Sequence, residues 1–232
     1  MLALAVDTSS PSGSLAIFEN ETLRAVVMTG GQETYSSRMF RHLDFLLGEV
    51  GVKMSDFDFF SVASGPGSFT GLRVGLAAVK GWAEVYGRLV APVSVLDAVA
   101  AGARCADGVL ASVLDARRGE VYGSLYRSGA DGIVEKMGEE VVMGPIDFVA
   151  HVAASAAGQG VTFATPSPEI VRRAVAGSPL ANARVVAVSG AIAVLIGALG
   201  YFRAQRGELV DALHLDANYV RRSDAEVLWK KP

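Results

Sequence analysis

The chain has 232 residues, 51% of them apolar and 19% charged, with a formal net charge of −3. That is enough sequence to bury a core in one large domain or two small ones. No run of lysine or arginine exceeds a pair, which argues against a grip on nucleic acid by this chain alone; the single cysteine, Cys105, excludes an internal disulfide and fits a reducing, cytoplasmic setting.

Residues 2–6, LALAV, form a short apolar run ending at Asp7 and read as a buried strand. No basic leader precedes them, so a signal peptide is not expected. TSSPSG follows as turn chemistry, then SLAIFEN and ETLRAVVM as second and third strands, which makes the opening an antiparallel hairpin or meander. From Thr34 to Val50 the period changes: Met39, Leu43, Leu46, Leu47 and Val50 fall at helical spacing, with Arg38, Arg41, Asp44 and Glu49 mostly between them. FDFFSVAS predicts a strand and Gly71 to Tyr86 a helix, with Gly87 placed to end it. LVAPVSVLDAVAAGA predicts a strand followed by a helix.

The pattern then begins again. LALAVDTSSPSGSLAIF (2–18) and LASVLDARRGEVYGSLY (110–126) each run from an apolar strand through aspartate and a turn to Gly-Ser-Leu, aligning Asp7 with Asp115. This predicts two related α/β subdomains, 1–103 and 104–232. Two halves that each open with strand, aspartate and hairpin resemble the actin-like ATPase and sugar-kinase (ASKHA) fold. That resemblance implies a mixed sheet flanked by helices in each half, hairpins that clasp phosphates, and aspartates that handle metal and water. Val185 to Phe202 carries no charge over eighteen residues and holds three glycines. It is shorter than the roughly 20 residues of a membrane span, so a buried or interface helix is expected.

The most distinctive stretch is SGPGSFTGLRVG, Ser64 to Gly75, at a strand-to-helix junction. Its glycines permit close backbone approach, and the N–H groups opening the next helix attract anions. Ser68 and Thr70 can cap that helix or bond a phosphate, whereas Pro66 removes a donor. No Gly-Lys-Ser/Thr follows, and the spacing Gly65, Gly67, Gly71 is one residue too long for a dinucleotide fingerprint. On spacing alone a structural turn is favoured over a phosphate site.

These twelve residues resemble the signature segment of the TsaB family (also called YeaZ) of bacterial tRNA threonylcarbamoyladenosine biosynthesis proteins. The likeness extends through LALAVDTSSPSGSLAIF, LDARRGEVYGSLY and NYVRRSDAE, nearly from end to end. It implies the actin-like fold and a non-catalytic partner of TsaD, the transferase that acts on the adenosine beside the tRNA anticodon. It further implies docking of the ATPase TsaE on the pair, and a homodimer when the chain is alone. No cofactor is required of this chain, ATP or ADP at the heterodimer junction stays open, and neither direct tRNA binding nor membrane contact is expected.

TsaD-like proteins hold a metal with His-x-x-x-His on the first long helix, but ETYSSRMFRHLDFLL has Tyr35-Ser36 and a lone His42, with His151 and His214 far off. Many TsaB-like chains carry His-Ser where Tyr35-Ser36 stands. Asp7, Ser9, Ser68, Thr70 and Asp115 are the candidates for nucleotide contact; Asp7 and Asp115 with magnesium would make the rival, an actin-like kinase or ATPase, and the bland reading is turn capping. In the second hairpin Arg117-Arg118 replaces small hydroxyl residues and either pairs phosphate or fills the cleft with ion pairs to Glu120 and neighbours. Cys105 has no arranged histidine and no Gly-x-Ser-x-Gly surrounds a serine, so hydrolase chemistry is not expected. The expected docking surface lies on residues 36–50 and 71–86, with Arg38, Met39, His42, Leu46, Arg73, Val74, Ala77, Ala78 and Gly81 as its contacts. For Arg73 the sequence leaves two roles open, bonding across that interface or holding the glycine turn.

Overall fold

The strand that ends at Asp7 is the middle strand of a five-stranded sheet. The computed structural model describes residues 1–30, 35–103, 108–128 and 134–221; Thr34, Cys105 and residues 222–226 of the C-terminal motif lie outside them. The chain packs as two units, Met1–Ala98 with Gly190–Pro232, and Val99–Ser189.

In the first unit β1 (Leu2–Asp7), β2 (Ser14–Glu19) and β3 (Thr22–Met28) form an antiparallel meander. After α1 (Tyr35–Val50), β4 (Phe59–Gly65) pairs parallel with β1; after α2 (Phe69–Tyr86), β5 (Leu89–Ser94) pairs parallel with β4. The order is β3-β2-β1-β4-β5. Leu4, Val6, Leu15, Ile17, Phe60 and Val62 face Met39, Leu43 and Leu46 of α1 and Leu72, Leu76 and Val79 of α2 in one core. α3 (Val95–Gly102) then carries the chain into the second unit.

There β6 (Gly108–Arg117), β7 (Glu120–Ser128) and β8 (Val134–Met143) form a second antiparallel meander. α4 (Pro145–Ala156), β9 (Val161–Thr165), α5 (Pro168–Val175) and β10 (Arg184–Ala187) follow, with β9 parallel to β6 and β10 parallel to β9. The order β8-β7-β6-β9-β10 repeats that of the first sheet strand for strand. The sequence repeat therefore coincides with the two opening hairpins, β1–β2 and β6–β7, and the mixed α/β architecture is the expected one.

The domain boundary differs from the linear expectation of 1–103 and 104–232. Helix α6 (Ile192–Gln205) returns to the first unit and lies against β1, β2, β4 and β5. Its apolar character extends all round, and the face carrying Ile192, Ala193, Ile196, Gly197 and Gly200 is the buried one. Side chains alternate across a strand, so Phe18 and Ser61 sit on the face opposite Ile17, Phe60 and Val62. There Gly197 and Gly200 give them room: an added Cβ at Gly197 would stand 2.3 Å from the Phe18 ring. Ser14 Oγ accepts the Ala193 N–H at 2.9 Å, supplying the cap that Ala191 cannot. The uncharged run 185–202 is thus divided between β10, a turn and this helix, and no helix among the described residues is long and apolar enough to cross a membrane.

Helix α2 starts on its cap: Ser68 Oγ accepts the Gly71 N–H at 3.2 Å, and Gly87, at φ 62°, closes the other end through its N–H to the Ala83 carbonyl. Its first two turns rest on the residues just after β1. A Cβ on Gly71 would stand 2.1 Å from the Thr8 carbonyl oxygen, and one on Gly75 would stand 2.3 Å from Thr8 Oγ1. Gly81, on the outer face, has nothing within 4 Å of such an atom. Gly71→Ala should therefore lower stability by about 1–3 kcal/mol through overpacking, whereas Gly81→Ala should raise it by about 0.5–1 kcal/mol through helix propensity. Urea unfolding followed by circular dichroism checks this; midpoints moving in the same direction would contradict the seating of α2.

Candidate functional site

Whether SGPGSFTG cradles an anion depends on where its backbone donors go. The Ser68 N–H donates to the Ser9 carbonyl at 2.7 Å, and a Cβ on Gly67 would stand 2.6 Å from the same oxygen. The turn is closed onto Thr8 and Ser9 by its own chain. Asp7 is fully buried beneath them. Its Oδ1 accepts both the Ser9 N–H at 2.9 Å and the Ser9 hydroxyl at 2.6 Å, while Oδ2 has no hydrogen-bond partner among the described residues. Burial pushes the Asp7 carboxyl above the usual carboxylate range, against the opposing effect of the two Ser9 bonds. Asp7, Ser9 and Ser68 thus come together in one network, while Thr70 sits exposed on the first turn of α2.

The start of α1 locks the first hairpin from the other side. Tyr35 is buried with its ring against Gly13, where an added Cβ would stand 2.1 Å from the ring. Burial, then the charge of Asp7, pushes the Tyr35 hydroxyl pKa up, with Arg38 opposing. Arg38 is itself buried: Nη1 donates to the Thr29 carbonyl at 2.9 Å and to Thr29 Oγ1 at 2.6 Å, and Nη2 to the Pro11 carbonyl at 2.9 Å. His42 lies 3.3 Å from Thr29 Oγ1 through Nε2 and 3.4 Å from Tyr35 Oη through Nδ1. Burial first, then Arg38 and Arg41, pull its pKa down and favour the neutral ring.

These positions correct part of the expected docking surface. Met39 and Leu46 are core residues and Arg38 is an internal clamp, because the apolar stripe of α1 faces the sheet and cannot also face outward. Half-buried His42 is engaged by Thr29 and Tyr35, and Val74 and Ala78 pack partly against the core. Arg73, Ala77 and Gly81 do lie exposed along one line of α2, which Phe69 and Val85 extend at both ends. On α1 the exposed apolar side chains are Phe40 (58%) and Phe45 (55%), neither singled out from sequence. Phe40 meets the half-buried Trp82 of α2 edge-on, with ring centres 6.3 Å apart. The available signal was two aromatics lying off the heptad-like stripe that fills the core.

Within the chain Arg73 has contacts that suit the second of its two roles. Its Nε–H donates to Tyr219 Oη at 3.1 Å, and its guanidinium carbon lies 3.9 Å from the centre of the Phe69 ring. Phe69 and Tyr219 contact each other with ring centres 5.1 Å apart, and the Asn218 N–H donates to the Ser64 carbonyl at 2.7 Å. The residues just after 217 are therefore fastened to the glycine turn and the first turn of α2.

In the second unit Asp115 is answered by its own hairpin. Its Oδ1 accepts the Arg117 N–H at 2.7 Å, and Arg117 Nη1 lies 3.3 Å from Oδ2. Arg117 thus makes an ion pair within its own hairpin. Among the described residues no three His, Cys, Asp or Glu side chains converge as a metal-binding group would require.

Comparison with known proteins agrees with this architecture. The family model of TsaD, tRNA N6-adenosine threonylcarbamoyltransferase, matches residues 26–189. The tRNA threonylcarbamoyladenosine biosynthesis protein TsaB of Escherichia coli (strain K12) is 32% identical over 168 residues, 71% of each chain. The TsaB of Bacillus subtilis (strain 168) is 34% identical over 137 residues, so the chain spans only 59% of that relative's length. YeaZ from Pseudomonas aeruginosa superposes with a TM-score of 0.76 at 27% identity, covering 94% of this chain and 99% of that one. The chain belongs to the TsaB (YeaZ) family, within the wider group described by the TsaD family model, and it has that group's actin-like ATPase and sugar-kinase fold.

Proposed function

We propose that this chain is a non-catalytic scaffold and activator in the formation of N6-threonylcarbamoyladenosine in tRNA. In this reading it pairs through the outward face of α1 and α2 with a TsaD-type transferase, and the pair receives a TsaE-type ATPase. The observation that carries the reading is the closure of the glycine-rich turn onto Thr8 and Ser9. Phosphoryl chemistry in an actin-like fold needs donors and carboxylates aimed at an open cradle. Here the Ser68 N–H is spent on Ser9, one oxygen of Asp7 is held by Ser9, and Asp115 is paired with Arg117. What is left outward-facing on α2 is a line with two small residues, Ala77 and Gly81, which lets another helix approach closely. A partner whose own helices are clamped there would be biased toward its working conformation without receiving any catalytic side chain. The same self-complementary face would pair two copies in the absence of the transferase.

The rival reading, an ATPase using Asp7 and Asp115 with magnesium, is favoured by the buried Oδ2 of Asp7 that lacks a partner among the described residues. Calorimetry and phosphate release with Mg-ATP on the isolated chain separate the two. The scaffold reading expects no turnover above background, unchanged in Asp7→Asn and Asp115→Asn; turnover that both substitutions abolish would install the rival.

Ala77→Glu tests the docking face. A carboxylate buried without a partner should weaken pairing with the transferase by about 100-fold or more, while the circular dichroism spectrum stays that of the parent because residue 77 is exposed in the free chain. Co-purification at the parental yield would remove α2 from the interface.

A further inference from the structure

The outward line of α2 carries a single charge. Phe69, Arg73, Ala77, Gly81 and Val85 recur at four-residue spacing and are all exposed; four of the five are neutral. Among the described residues Arg73 touches only neutral groups, the Phe69 ring at 3.9 Å, the Tyr219 ring at 6.0 Å and the Tyr219 hydroxyl. A guanidinium has five N–H donors. Tyr219 takes the one on Nε, and those on Nη1 and Nη2 make no hydrogen bond to a described residue. Stacking on Phe69 leaves these in-plane donors available, since it uses the face of the group. Two rings thus hold a cation in place on a line whose other four members are neutral, with Lys80 and Glu84 one turn or more away along α2.

We propose that Arg73 is a recognition residue of this face and receives a carboxylate carried by the transferase helix that lies against Ala77 and Gly81. The inference rests on the pairing proposed above and adds the chemistry that selects the partner. A helix covering this line would strip water from Arg73, and a desolvated cation facing only neutral groups opposes association. A partner that brings an acid converts the same group into a paired, bidentate contact and gains specificity and a faster encounter. Phe69 and Tyr219 hold the fork in advance, so little side-chain freedom is lost when the acid arrives.

The test measures binding of the purified chain to a TsaD-type transferase by biolayer interferometry at low and high salt, with sedimentation velocity on the chain alone. Arg73→Met keeps the apolar stem and removes the charge; it should weaken binding about tenfold or more and remove most of the salt dependence. Arg73→Lys should fall between, keeping charge but not the fork. Tyr219→Phe, which keeps the stack and loses one hydrogen bond, should stay within a few-fold of the parent. If Arg73→Met binds with parental affinity and salt slope while Ala77→Glu still blocks binding, the pairing stands and the role of Arg73 is wrong. If the parent chain does not bind the transferase at all, both proposals fall together. If Arg73→Met alters only self-association, the acid belongs to a second copy of this chain and the proposal is overturned.

Discussion

The rest of the first unit depends on how closely a helix can approach the end of a strand. The first two turns of α2 rest on Thr8 at separations that no side chain tolerates, since Cβ atoms on Gly71 and Gly75 would collide with its carbonyl and hydroxyl oxygens. Two hydrogen bonds fix the approach, Ser68 N–H to Ser9 and Gly71 N–H to Ser68 Oγ. Because α2 is held at this end and capped at Gly87, its rotation about its own axis is set. Leu72, Leu76 and Val79 then face the sheet, and Arg73, Ala77 and Gly81 face outward. The same contact buries Asp7 and commits Ser9 to it. One steric constraint therefore closes the cradle and aims the helix.

Around this contact the molecule uses its polar groups to tie hairpin to helix. Arg38 joins the turn at Pro11 to the end of β3 at Thr29, Tyr35 fills the space over Gly13, and His42 bridges Thr29 and Tyr35. Such buried polar links add rigidity more than net stability, because each costs desolvation that its hydrogen bonds only offset. Tyr35 acts here as a packing group over Gly13. The Arg73, Phe69 and Tyr219 cluster extends the fastening to the residues after 217.

Most of the first unit was legible in the sequence because its signals are local. Period-two and period-3.6 apolar patterns located its strands and helices up to residue 103, and Gly87 marked a helix end. The repeated strand, aspartate and turn marked the opening hairpin of each unit, whereas β8, α4, β9, α5 and β10 were not read. What was not legible is set by contacts distant along the chain. The return of α6 to the first sheet follows from the fit of Gly197 to Phe18, across 179 residues in the case of the Ser14 cap to Ala193. The partner of Arg73 is 146 residues away. The docking face was partly misread for a different reason: an apolar stripe on a helix says that one face is covered, not by what. Met39 and Leu46 were covered by the sheet, and the exposed apolar groups of α1 are Phe40 and Phe45 beside that stripe.

A cradle that grips phosphate must stay open and must reorganise as nucleotide enters and leaves, which draws its loops from the less stable parts of a structure. A docking face has the opposite requirement. Every side chain or backbone segment still mobile before association must be ordered at a cost that is subtracted from affinity. On the proposed reading the closed turn serves that second requirement. The Ser68 N–H to Ser9 bond and the contacts of Gly71 and Gly75 with Thr8 seat the start of α2 before any partner arrives, so less remains to be ordered along the outer line of Ala77 and Gly81.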